Sequence, residues 1–123
     1  MSKILVVDDD PDVVEACRVV LEKVGYSVSS AGSLEEGMKA VEEFRPDLLI
    51  LDVMMQQPDD GISMARQLRR NGFDRPILML TNVGREAGLN IDKDEDLVPV
   101  DEFQQKPISP QVLVSKVGEL LKK

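Results

Sequence analysis

Acidic, hydroxyl and basic side chains directly follow several short apolar runs of the chain. Asp8–Asp10 follow the run ILVV, and Asp52 ends the run LLIL. Thr81 follows ILML, and Lys106 lies near the end of the last such run. Where the runs are parallel strands of one sheet, these side chains meet at the carboxyl edge of that sheet, which is where ligands bind in open α/β folds.

This combination of side chains fits phosphoryl chemistry. Clustered carboxylates repel one another and need a cation, and a hard divalent ion such as Mg²⁺ prefers oxygen ligands. A carboxylate beside such an ion can attack a phosphoryl group. A Lys can neutralise the negative charge on the phosphoryl oxygens, and a Thr hydroxyl can donate a hydrogen bond to one of them. The set therefore predicts a phosphate acceptor.

Each of these residues also has a simpler interpretation. An acidic strand end is often a solvated turn, a Thr is often a helix cap, and a Lys is usually a surface charge. Asp52 is harder to explain in this way, because it ends an apolar run, where a charge is costly unless it is paired.

Five apolar runs predict the strands that position these residues. The first, third and fourth are almost continuously hydrophobic, which is typical of parallel strands buried on both faces. The five runs are Lys3 to Val7, Tyr26 to Ala31, Leu48 to Leu51, Ile77 to Leu80 and a weaker one at Val100 to Gln105.

Helical spacing of apolar residues separates the runs. Asp10-Pro11 begins the first helix and Gly25 ends it, Ser33 with Glu36 matches a capping box, and Ser109-Pro110 begins the last helix. A third helix ends at Gly72, with Arg66, Arg69 and Arg70 expected on its solvated face. Residues 84–97 carry two glycines and many charges, so they predict only a short fourth helix around Arg85 to Leu89 and an irregular acidic loop.

Strands and helices alternate along the chain, which predicts βαβ units in a doubly wound, three-layer α/β domain. The 123 residues fit one domain spanning 1–123, since domains most often hold roughly 100 to 150 residues.

Composition excludes several classes of function. The chain has no His and one Cys, which excludes catalysis by an imidazole, an internal disulfide and a four-thiolate zinc site. No apolar run is long enough to cross a membrane, and a net charge of −8 disfavours direct binding to nucleic acid. A cytoplasmic protein is the prediction.

The ordered segments ILVVDDD, PDLLILDVMM, PILMLT and QQKP together resemble the receiver domain of two-component response regulators over the full chain. The resemblance implies a flavodoxin-like fold with five helices and a five-stranded parallel sheet in the order 2-1-3-4-5. It also implies that a sensor histidine kinase or phosphotransfer protein donates a phosphoryl group to one Asp, with Mg²⁺ as cofactor. The chain would be a phosphoacceptor that assists its own phosphotransfer, and not an enzyme in the usual sense.

Matching the segments position by position assigns the acidic site. Asp52 matches the phosphoacceptor, Asp9 the carboxylate that binds Mg²⁺ directly, and Asp8 its neighbour that holds the metal or its water. Met54 would offer a backbone carbonyl to the metal.

The same matching assigns the switch. Thr81 matches the hydroxyl that moves toward the phosphoryl group, Lys106 the cation that pairs with Asp52 or the phosphoryl oxygens, and Phe103 the switch aromatic. The resemblance implies that the fourth helix, fifth strand and last helix form the surface that signals to a target.

Several positions depart from the family pattern. The segment VMMQQPDDG after Asp52 is one residue longer than usual, and Asn82 replaces a small residue, so small-molecule phosphodonors are expected to react poorly. Met54 and Val83 cannot orient a water, which predicts slow autodephosphorylation. Six acids and one base between residues 92 and 102 predict a negative output surface, hence a target with basic residues.

Two alternative functions stay open, and so does the form of the output. The chain could be a phosphorylation-independent pseudo-receiver that acts as a scaffold. A haloacid-dehalogenase-type phosphohydrolase also uses an Asp nucleophile but needs an acid two residues later, where this chain has Met54. The regulator could act alone by docking, or its output domain could lie outside this chain.

Overall fold

The computed structural model describes residues 2–52, 60–81, 100–105 and 109–122, and a five-stranded parallel sheet forms its centre. The strand order is β2-β1-β3-β4-β5, which confirms the predicted order 2-1-3-4-5. The strands are β1 (Lys3–Val7), β2 (Ser27–Ala31), β3 (Leu48–Asp52), β4 (Ile77–Thr81) and β5 (Glu102–Gln105).

In the described part of the chain, three helices connect successive strands and a fourth follows β5: α1 (Pro11–Val24), α2 (Leu34–Phe44), α3 (Asp60–Arg70) and α4 (Pro110–Leu121). Here α4 is the last of the five predicted helices. The predicted short helix around Arg85 to Leu89 lies outside the described residues.

The predicted caps hold three of these helices. The Asp10 carboxylate accepts a hydrogen bond from the backbone N–H two residues later (2.9 Å), and Gly25 ends α1 at φ 113°. The Ser33 hydroxyl accepts from the backbone N–H of Glu36 at 3.1 Å and donates to its carboxylate at 3.2 Å. Ser109 caps α4 in the same way as Ser33 caps α2, by accepting from the N–H three residues later.

The sheet is buried on both faces. Side chains of each strand alternate between two apolar cores, one shared with α2 and α3 and the other with α1 and α4. Leu5, Val7 and Met79 belong to the first core, and Ile4 and Leu80 to the second. This two-sided burial explains why the strands read as continuous hydrophobic runs, and it confirms the three-layer α/β fold.

Two side chains differ from their predicted environment. The spacing of Val24 from the other apolar residues of α1 predicts a buried side chain, but Val24 is the last residue of the helix and is 52% exposed. Arg69, expected in solvent, is only partly exposed and bonds to Asp101. None of the helices that the structure describes is long and apolar enough to span a membrane.

Candidate functional site

Two neighbouring strands bring Asp8 and Asp52 to the same edge of the sheet. Val7 of β1 pairs in register with Leu51 of β3, so the residues that follow them, Asp8 and Asp52, lie at the same level of the sheet. Asp8 is 2% and Asp52 3% exposed. Acidic residues buried to this degree are costly unless they are paired or bind a cation.

Backbone hydrogen bonds fix the position of Asp8. Its N–H donates to the carbonyl of Ala31 at the end of β2 (3.0 Å), and its Oδ1 accepts from the N–H of Asp10 (2.9 Å). A side chain that bonds the backbone two residues later forms an Asx turn, which holds the carboxylate in one orientation. The Asp10 carboxylate instead accepts from the N–H of Asp12 and caps α1.

Asp8, Asp9 and Asp52 form a cluster in which one oxygen from each lies within 4.8 Å of the others. Asp9 is exposed, so the cluster has access to solvent on one side. All three donors are hard, anionic oxygens, which is the ligand set that Mg²⁺ and Ca²⁺ prefer. An octahedral ion with metal–oxygen distances of about 2.0–2.1 Å places its ligands about 3–4 Å apart, so small side-chain rotations would bring all three onto one ion.

β4 and β5 continue the same edge of the sheet. Asp52 pairs with Leu80, and Thr81, the next residue of β4, pairs with Gln105 of β5. The backbone of Thr81 therefore lies on the strand beside Asp52, as predicted. The side chain of Thr81 and the residues Lys106 and Met54 lie outside the described part of the chain, so their roles stay predictions.

Phe103 lies on β5, where it pairs with Met79 of β4. Its ring is half-buried and packs against the core between the sheet and α2 and α3. The predicted switch aromatic is therefore on the strand next to Thr81 and two residues before the carboxyl end of β5.

Two acids of the segment 92–102 are partnered by bases of this chain. Oδ2 of Asp101 lies 2.8 Å from Nη2 of Arg69, and the same oxygen accepts from the N–H of Ile77 at 2.9 Å. Glu102 lies 3.6 Å from Nζ of Lys116 on α4. These pairs reduce the negative charge that this end of β5 offers to a partner, while the other four acids lie outside the described residues.

The carbonyl of Ala31 is a contact of this site that the sequence does not indicate. Every residue type has a backbone carbonyl, so its role follows only from the register of β1 on β2, in which Val7 pairs with Ala31.

Comparison with known families gives a match over nearly the whole chain. The family model for the response regulator receiver domain matches residues 4–118. The alkaline phosphatase synthesis transcriptional regulatory protein PhoP of Bacillus subtilis is 39% identical over 99% of this chain and 49% of its own length. The response regulator MprA of Mycobacterium leprae is 40% identical over 98% of this chain and 51% of its own length. The chain thus spans about half the length of these curated relatives.

Solved structures share the fold. A CheY-like receiver domain protein from Methanospirillum hungatei superposes with a TM-score of 0.85 at 24% identity, over 99% of this chain and 94% of that one. The chemotaxis protein CheY4 of Vibrio cholerae superposes with a TM-score of 0.81 at 25% identity, over 98% of each chain.

Proposed function

Because this chain belongs to the family of response regulator receiver domains, we propose that Asp52 accepts a phosphoryl group from a sensor histidine kinase or a phosphotransfer protein. The observation that carries the proposal is the cluster of Asp8, Asp9 and Asp52, whose oxygens lie within 4.8 Å. A buried carboxylate beside two others is the arrangement that a metal-assisted phosphoacceptor needs. We propose further that residues 1–123 act as one receiver domain in the cytoplasm.

The proposed transfer is a displacement at phosphorus. A carboxylate oxygen of Asp52 attacks the phosphoryl group of a phosphohistidine, the P–N bond breaks, and its electron pair stays with the imidazole nitrogen of the donor, which takes up a proton. The product is an acyl phosphate on Asp52. The chain acts as acceptor and assists its own phosphorylation, so it does not turn over a separate substrate.

The surrounding residues would neutralise and orient the reacting groups. Asp8, Asp9 and the backbone carbonyl of Met54 would hold Mg²⁺ together with Asp52. When bound, the ion supplies positive charge that offsets the developing charge on the phosphoryl oxygens. In this proposal Lys106 pairs with Asp52 or those oxygens, and the hydroxyl of Thr81 donates to one of them.

Output would follow from movement of Thr81 toward the phosphoryl group. β4 and β5 are paired through Thr81 and Gln105, so a shift of one strand end is expected to displace the other, together with Phe103 and the segment after Thr81. Phe103 lacks the hydroxyl of a Tyr, so packing alone would hold either of its two positions.

The downstream target is proposed as a protein with a basic surface, or as an output domain outside this chain. The Bacillus subtilis relative is named as a regulator of transcription, which makes a transcriptional output one option for a longer protein. The net charge of −8 argues against direct binding of nucleic acid by this domain itself.

The acyl phosphate is proposed to be long-lived. Met54 and Val83 replace residues that orient water in faster relatives, so hydrolysis is expected to take much longer than seconds. Radiolabel decay from the purified phosphoprotein measures the lifetime, and a lifetime of only seconds would contradict the expectation.

Intact-mass spectrometry tests the proposal. We expect the wild type, incubated with Mg²⁺ and phosphoramidate, to gain the mass of one phosphoryl group in a slow reaction, because Asn82 is expected to shield the site, and Asp52→Asn to gain none. Asp74→Asn changes a highly exposed carboxyl in the same way and should react like the wild type.

A weak reaction of the wild type has a specific explanation in Asn82, which is expected to shield the site from small donors. Asn82→Ala should then restore the reaction. If neither the wild type nor Asn82→Ala is phosphorylated while both are folded, the chain is a pseudo-receiver and the proposal is wrong.

A further inference from the structure

A network of hydrogen bonds joins the amino ends of β4 and β5. Oδ2 of Asp101 accepts from the N–H of Ile77 at 2.9 Å, and the N–H of Asp101 donates to the carbonyl of Ile77 at 3.0 Å. The first residue of β4 and the residue before β5 are therefore bonded to each other both through the backbone and through a side chain.

Arg69 bonds this pair to the carboxyl end of α3. One terminal nitrogen of its guanidinium contacts Asp101 at 2.8 Å, and the other donates to the carbonyls of Phe73 (2.9 Å) and Arg75 (2.8 Å) in the segment after α3. The side chains of Arg69 and Asp101 are only 24% and 27% exposed, so solvent screens their attraction less than that of a fully exposed pair. We call Arg69, Phe73, Arg75, Ile77 and Asp101 the amino corner.

The chemistry of these bonds makes the amino corner stiff. A planar guanidinium holds its donors in a fixed geometry, so a bond made by one nitrogen restricts the directions of the others. Hydrogen bonds between charged partners are also shorter and stronger than neutral ones. Because movement of either strand at this end would break several bonds at once, the corner resists displacement of Ile77 and Asp101.

The candidate phosphorylation site lies at the opposite ends of the same two strands. Thr81 and Gln105 pair there, each four residues from the corner, or about 13 Å at the rise of a strand. A strand that is fixed at one end and pushed at the other tilts, and its displacement grows with distance from the fixed end. A shift of about 1 Å at Gln105 then moves Phe103, which lies halfway, by about 0.5 Å and Asp101 hardly at all.

We propose that Arg69 and Asp101 are positioning residues of the switch, because they hold the fixed end about which β4 and β5 tilt. This inference rests on the proposed function. With the corner intact, a shift at Thr81 moves the ring of Phe103 against the core on which it packs. Without it, the same shift is relieved by sliding of the strands, which carries the change to their amino ends.

Amide NMR of the full chain with Mg²⁺ and beryllofluoride tests the proposal through the ratio of shift changes at the two strand ends. In the wild type we expect the changes at Leu80 and Gln104 to exceed those at Ile77 and Asp101 by about fivefold or more. Arg69→Met removes the donors and keeps much of the side-chain length. We expect it to lower that ratio by about threefold or more, because the changes then extend to the amino ends.

Two further variants separate positioning from stability. Arg70→Met is the matched control, because Arg70 is the next residue of α3 and is exposed, and it should keep the wild-type ratio. Asp101→Asn keeps an oxygen for the N–H of Ile77 but removes the charge that pairs with Arg69, so it should lower the ratio less than Arg69→Met does. A merely structural corner would lower the thermal midpoint and leave the ratio unchanged. Circular dichroism shows that each variant is folded.

The contrary outcomes are distinct for the corner and for the proposed function. Large shift changes at Ile77 and Asp101 in the wild type would overturn the fixed end while leaving phosphorylation of Asp52 supported. So would a ratio that stays unchanged in the folded variants Arg69→Met and Asp101→Asn. A folded wild type with no shift changes around Asp52 would overturn the proposed function, and the positioning role with it.

Discussion

Asp8, Asp9 and Asp10 are chemically identical neighbours, yet each has a different environment. Asp8 is buried and oriented by the N–H of Asp10, Asp9 is exposed, and the Asp10 side chain caps α1. The sequence predicts that acids gather at this strand end and that Asp10 begins the helix. It does not predict which carboxylate is buried, because that depends on the turn that follows β1.

Burial of two carboxylates in one cluster has a measurable energetic consequence. Asp8 and Asp52 are both almost fully buried, and two like charges this close repel one another even where one cationic side chain pairs with them. Asp52→Asn is therefore expected to raise the free energy of unfolding in metal-free buffer by about 1 to 2 kcal/mol. Urea titration monitored by circular dichroism measures the change.

Magnesium should make the wild type more stable than Asp52→Asn. An ion that binds only the folded state stabilises it in proportion to its affinity, so saturating MgCl₂ should raise the midpoint of the wild type more than that of Asp52→Asn. Asp74→Asn is the control for charge removal at the surface. Equal metal-free stability of Asp52→Asn and the wild type, with no response of either to MgCl₂, would contradict a metal site here.

Most helix ends follow from residue types at the element scale. Asp10, Ser33 and Ser109 cap three helices as their sequence context predicts, and Gly72 follows α3 at φ 94°. The end of α2 is different, since Arg45 takes a left-handed conformation at φ 53° without being a glycine. The local signal for that end is Pro46, the next residue, because a proline has no N–H to continue the helix and disfavours a helical conformation of the residue before it.

Gly37 lies at a close contact that its sequence position does not reveal. An added Cβ would lie 2.9 Å from Cε of Met64 on α3 and 3.0 Å from Cγ1 of Val7 on β1. Gly37→Ala should therefore destabilise the fold by about 1 to 2 kcal/mol, because overpacking against β1 exceeds the gain in helix propensity. Chemical denaturation measures the effect.

Gly118 provides the matched control for Gly37. It also lies within a helix, but an added Cβ there has no described atom within 4 Å. Gly118→Ala should stabilise the protein by about 0.5 to 1 kcal/mol. A stabilising Gly37→Ala would show that Met64 and Val7 move aside at little cost, and that the close contact does not constrain α2.

Arg69 connects α3 to the start of β5. One terminal nitrogen bonds the carbonyls of Phe73 (2.9 Å) and Arg75 (2.8 Å), and the other contacts Asp101. A lysine cannot make these contacts together, so Arg69→Lys should cost about 1 to 2 kcal/mol of stability. Arg70→Lys, on the exposed face of the same helix, should be nearly neutral, and equal effects of the two variants would refute the role of Arg69.

At the scale of the whole molecule, the sequence predicts the fold well because the spacing of the apolar residues and the residue types indicate the same strands and helices. β1, β3 and β4 read as buried strands, the segments between them have helical spacing, and the order 2-1-3-4-5 is confirmed. Contacts between residues far apart in sequence, such as Arg69 with Asp101 or Gly37 with Met64, are not predictable in this way. These contacts depend on how the helices pack against the sheet.

The negative charge of residues 92–102 also depends on contacts across the whole molecule. The pairing of Asp101 with Arg69 and of Glu102 with Lys116 leaves residues 92–96 as the main acidic part of the predicted output segment. We still expect a basic target, and its binding should weaken between low and high salt because exposed charges are screened. Binding that is insensitive to salt would contradict this expectation.

The most direct test of the proposed receiver function is amide NMR of the full chain with Mg²⁺ and beryllofluoride, a mimic of the acyl phosphate. We predict chemical-shift changes around Asp52, Thr81, Phe103 and Lys106 in the wild type, and none of them in Asp52→Asn. A folded wild type that shows no changes would contradict phosphorylation at Asp52 and would favour a pseudo-receiver.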